Sequence, residues 1–149
     1  MQRRSAVVAA FVWLVAARLP LSAADKGNIG TVFVRVASSG NEGQKFADPA
    51  LEATVKDIKG EIRYSKFSPA EDEAKADFLI EVVERSDTMH ASFGNAAQVK
   101  LIRATLSFRD GDGWKPAIKL ENSSGTTWRI SAERILHIAE KWVQERGGK

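Results

Sequence analysis

The chain has 149 residues, 22 basic and 19 acidic side chains, a formal charge of +3 and no cysteine. Lacking cysteine excludes disulfide cross-links, a thiol nucleophile, a thiolate metal site and a lipid-anchoring cysteine. Three of the basic residues (Arg3, Arg4 and Arg18) and none of the acidic ones precede residue 25, so the remainder holds 19 of each and no net charge, which removes the electrostatic footprint that nucleic-acid binding needs.

Arg3 and Arg4 lead into a twelve-residue apolar run, Ala6–Ala17, followed by Arg18-Leu19-Pro20-Leu21 and the small residues Ser22-Ala23-Ala24. A charged head, a short apolar middle and a small-residue exit form the pattern of a cleavable export signal. Cleavage is expected after Ala24, with Ala23 as the neighbouring alternative. A membrane-spanning helix needs about 20 apolar residues, and this run ends short of that at Arg18. The arginine pair is not continued into a twin-arginine motif, so general secretion into a periplasm or medium is expected, with no pre-loaded cofactor and no stable membrane anchor afterwards. Residues 1–24 are therefore read as a signal and 25–149 as one domain, a length that supports one core and not two.

Thr31–Ala37 (TVFVRVA) places Val32, Val34 and Val36 on one face and reads as a strand. Asp48 and Pro49 open a helix as cap and first residue, and Leu51, Val55, Ile58 and Ile62 recur on one side of it. Tyr64–Phe67 reads as a short extended piece. Ser68-Pro69-Ala70-Glu71 has the form of a capping box and is expected to start a brief helical turn through Ala74. Asp77–Glu84 is a second strand with Phe78, Ile80 and Val82 together. Arg85–Ala97 shows no apolar period and is expected to be a loop, long for its place.

Gln98–Phe108 is a third strand, carrying Ile102, Ala104, Leu106 and Phe108 on one face. Asp110-Gly111-Asp112-Gly113 is a tight turn. Trp114–Leu120 is a fourth strand, placed at a sheet edge by Pro116, which lacks the amide a central strand needs. Glu121–Thr127 reads as loop. The last helix runs from Ala132 to Arg146 with Ser131 as cap and Ile135, Ile138, Ala139 and Trp142 inward. The order is β-α-β-β-β-α. A crossover helix favours parallel pairing of the first two strands, and the tight turn forces an antiparallel hairpin. The expected fold is an α+β two-layer sandwich, a mixed four-stranded sheet with both helices on one face.

The stretch Ser68–Val83 (SPAEDEAKADFLIEVV), the hairpin Ala104–Trp114 (ATLSFRDGDGW) and the closing helix resemble small periplasmic accessory domains of bacterial envelopes. They are of the type found at the amino terminus of the Tol system's propeller protein and in activators of cell-wall synthases. The resemblance implies a binding or scaffolding role at the envelope, with a protein partner there and no catalytic residue. Those relatives often carry a lipid-anchoring cysteine or an attached propeller, and neither is present in this sequence.

The residues offer little chemistry of their own. His137 lies on the outer face of the last helix beside Arg134 and Lys141 and reads as solvated. His90 sits near Asp87 and Ser92, without the nucleophile elbow that would accompany a hydrolytic triad. Asp110 and Asp112 lack the further oxygen ligands of a calcium loop, Trp114 standing where the next would be. Glu71, Asp72, Glu73 and Asp77 read as a solvated acidic turn. Asn122-Ser123-Ser124 is a formal glycosylation sequon. No cofactor or metal is expected.

The binding candidates are Met89, His90 and Phe93 in the 85–97 segment, where the apolar pair either folds back onto the core or forms a lip for a partner. Trp114, Ile118 and Trp128 complete the set, with a partner strand docking along the edge at Ala117–Leu120. The expected function is a non-enzymatic exported binding or adaptor domain. The alternatives are a carrier of a small apolar ligand held beneath the 85–97 segment, and a small hydrolase using His90.

Overall fold

β1 (Thr31–Val36) alternates as its sequence requires, with Val32 and Val34 buried. It belongs to a computed structural model that describes residues 27–38, 48–92 and 94–147; the expected export segment lies outside them. α1 (Pro49–Ile62) starts where the Asp48 carboxylate accepts the Ala50 amide at 2.9 Å, relieving one of the unpaired amides of the first turn. Its stripe turns Val55, Ile58 and Ile62 inward.

The remaining elements are β2 (Ser68–Pro69), a 3₁₀ turn (Glu73–Lys75), β3 (Phe78–Ser92), β4 (Asn95–Asp110), β5 (Gly113–Gly125) and α2 (Trp128–Gly147). The sheet order is β2-β1-β3-β4-β5. β1 runs parallel to β3, joined through α1, and β3, β4 and β5 form an antiparallel meander. One face of the sheet and both helices share a single core. Val34, Ile80, Ile102, Leu106 and Leu120 meet Ile58 and Ile62 of α1 and Ile135 and Ala139 of α2. Each of the Val, Leu and Ile side chains contributes about 1.5–3 kcal/mol by leaving water.

The α+β class, the parallel first pair, the hairpin after Asp110 and the edge position of Trp114–Leu120 all agree with the sequence expectation. Five features correct it. The sheet has five strands, not four, because Ser68–Pro69 pairs with β1 instead of capping a helix: the Ser68 amide donates to Gly30 and the Ala70 amide to Val32. Proline is tolerated there because β2 is an edge. Asp72, not Ser68, caps the following turn, accepting from Ala74 at 3.0 Å.

The expected loop 85–97 is instead strand on both sides of a turn at Gly94. β5 likewise continues to Gly125, and α2 begins three residues before Ser131. There the Thr127 hydroxyl accepts the Ile130 amide at 3.2 Å. Ser131 lies inside the first turn and donates to the Lys100 carbonyl at 2.6 Å.

Candidate functional site

β3 and β4 pair from Phe78 opposite Phe108 out to Ser92 opposite Asn95. Their neighbours stop sooner. β1 flanks β3 only as far as Val36 opposite Val82, and β5 flanks β4 only to Gly125 opposite Lys100. The distal hairpin is therefore a two-stranded arm extending past the sheet, with no third strand among the described residues. At its root β3 carries a bulge at Val83, which is exposed. An extra residue there bends the strand and increases its twist.

Two charged clusters fix the root. On the face away from the helices, Arg103 donates to Glu84 at 2.6 Å and to Glu121 at 3.1 Å, tying three strands together. The Arg103 guanidinium and then the Ser86 hydroxyl, both donating to Glu84, hold its carboxyl below the usual carboxylate range. Glu121 and Glu84 in turn raise Arg103. On the helix side, Arg85 is 14% exposed and donates to Asp57 and to the Thr54 hydroxyl, each at 3.1 Å. Its guanidinium lies 3.8 Å from the centroid of the Trp128 ring, and Lys100 approaches the same ring at 5.2 Å while pairing with Asp87. β3, α1 and the first residue of α2 are thus clamped at one point.

The sequence candidates do not converge on one site. Met89 is on the arm and 69% exposed, so it neither folds onto the core nor sits in a loop. His90 is on the arm with its backbone opposite Ala97, and its side chain and the whole of Phe93 lie outside the described residues. Strand alternation puts positions 87 and 90 on opposite faces, and Asp87 is already engaged by Lys100. Trp128 is part of the root clamp.

Trp114 opens β5 on the other face, donating to Glu73 at 2.9 Å beneath the Arg109 guanidinium, 4.3 Å from its ring. Ile118, opposite Leu106, is half-buried against the core. The acidic turn is structural. Asp72 is a cap, Glu73 binds Arg35 at 2.7 Å, and Asp77 accepts from the Thr31 amide and hydroxyl at 2.8 Å each. His137 is exposed on α2, as expected. Asn122 of the sequon is 4% exposed, which closes it to a glycosylating enzyme. Among the described residues no three His, Cys, Asp or Glu side chains could jointly hold a metal ion.

Two hollows escaped the sequence reading. One, of about 370 Å³, lies between the helices, lined by Tyr64, Glu133, His137 and Glu140 among others. Its inner carboxylates are already engaged: Glu61 with Arg129 at 3.1 Å, and Glu140 with the Lys66 amide. The other, of about 340 Å³, lies where β3 begins, β4 ends and α2 finishes, at the opposite end of the hairpin from the arm. Phe108 and Trp142 stack there at 6.2 Å between centroids. Phe108 and Trp142 both belong to the inward patterns of their elements. Only the register of α2 on β4 reveals that the pair leaves a groove.

No family model, curated protein or solved structure matches the chain.

Proposed function

We propose that this chain is an exported, non-enzymatic binding domain whose β3–β4 arm receives a protein partner of the cell envelope. One observation carries the reading: from Thr88 outward the hairpin runs on without β1 or β5 beside it, leaving both of its edges without a strand among the described residues. An unpaired edge is a template for adding a strand from another chain, with main-chain hydrogen bonds supplying affinity and side chains supplying selection. Among the described residues, Met89 is a large apolar side chain that the arm holds out to solvent. The root clamp fixes the arm's direction, so a partner meets a preorganised ribbon and the ordering cost of binding falls. The amino-terminal export pattern supports the envelope setting.

The test is photo-crosslinking in intact cells with a reactive residue at position 89, beside a control at Lys141 on α2. The expected result is one discrete adduct from position 89, absent from the control and lost in Ala91→Pro. Adducts of equal yield from both positions, or none from the arm, would refute the reading.

A further inference from the structure

The groove at the far end of the hairpin combines aromatic walls with a cation, Arg146, that has no carboxylate partner among the described residues. Arg146 lies 4.6 Å from the Phe108 centroid and 5.1 Å from that of Trp142. Lys115, opposite Phe108 on β5, lies 5.8 Å from the same Phe108 centroid. Neither cation has a carboxylate partner among the described residues. The acid lining the groove, Asp77, is committed to Thr31, and Arg109 is committed to the carbonyls of Ala76 and Glu73. Arg146 lines the hollow, and Lys115, outside that lining, approaches the same ring. An anion bound at Arg146 would gain hydrogen bonds strengthened by charge. A cation over an aromatic face holds its place with little motion, so the anion site is partly preorganised.

We infer that this groove binds a small single-chain anionic amphiphile, with the chain against Phe78, Phe108, Trp142 and Val143 and the head group at Arg146. The volume is at the lower end of the ~300–1,000 Å³ of ligand sites, which selects a short chain and not a diacyl lipid. The inference is independent of the arm, and failure of either leaves the other standing.

The experiment is a heteronuclear NMR titration of the full chain, following the Trp142 indole and the amides of Phe108 and Arg146. The probes are decanoate, decyl phosphate and decanol. Both anions are expected to shift these signals saturably, the tighter of the two identifying the head group, with decanol about tenfold weaker for want of the charged contact. Arg146→Gln, an exposed change that leaves the core intact, is expected to weaken decanoate by a similar factor while leaving decanol unchanged. Equal binding of decanol and decanoate overturns the inference. So does a decanoate response that maps elsewhere. An unresponsive groove, as one filled by the chain itself or by a second copy would be, overturns it as well.

Discussion

Arg85→Met removes the charge that holds the arm root while keeping a side chain of similar reach. The variant loses the ion pair to Asp57, which is about a third exposed and so contributes no more than ~1 kcal/mol after solvent screening. It also loses the guanidinium stacked 3.8 Å from Trp128, a contact of about 1–2 kcal/mol at a largely desolvated site. Thr54 keeps its own bond to the Ala50 carbonyl at 3.1 Å, so no orphaned hydroxyl adds to the loss. The expected destabilisation is ~1–3 kcal/mol in urea unfolding, a large share of the ~5–15 kcal/mol that holds a domain together. A double-mutant cycle with Asp57→Asn should recover ~0.5–1 kcal/mol of coupling, since each single change breaks the same pair. Amide exchange should quicken along the distal arm more than in the β1–β3 pairing, because only the arm loses its anchor. A loss below ~0.5 kcal/mol, or exchange that quickens uniformly, would show that the clamp does not set the arm.

Gly125→Ala places a Cβ 2.0 Å from the Ser131 hydroxyl and 3.0 Å from the Ser131 amide nitrogen. The expected cost is ~2–4 kcal/mol by thermal unfolding, from overpacking and strain on the Ser131 bond to Lys100, and Ser131→Ala in the same chain should return part of it. Equal losses in the single and double variants would remove the steric explanation. Glu84 has its carboxyl lowered in the folded state, so its contribution is present above the unfolded pKa and is lost as pH falls through the folded one. Arg103→Gln should move the Glu84 titration up towards the ordinary carboxylate range, as should high salt. An unmoved NMR titration curve would refute that assignment.

The fold was legible wherever one face of an element meets the core. Val32 and Val34, Ile80 and Val82, and Ile102 to Leu106 alternate because these positions face the two helices, and the stripe from Val55 to Ile62 follows the same rule in helical spacing. The arm was not legible for the converse reason. Ser86 and Thr88 are polar and Met89 is exposed, so hydrophobic period carries no signal in this part of β3, and backbone pairing with β4 holds the segment extended. β2 was missed because two residues give no period at all, and Ser-x-x-Glu fits a cap as well as an edge. The groove needed tertiary placement, since Phe108 and Trp142 are distant in sequence and each reads as core.

The parallel pairing of β1 with β3 makes the first of the described strands one that waits long for its partner. The Thr31 contact with Asp77 spans 46 residues, whereas β3, β4 and β5 close through short turns. Closing a long loop costs entropy before any contact repays it. The meander is thus expected to form the folding nucleus and β1 to be inserted late. A Val32→Ala change should then mainly speed unfolding, while Leu106→Ala should mainly slow refolding; the reverse pattern would disprove the order. If the proposed export threads the chain through a membrane amino terminus first, β1 and α1 would reach the far side before β3 is there for them to pack on, and their apolar faces would stay open until β3 and β4 emerge.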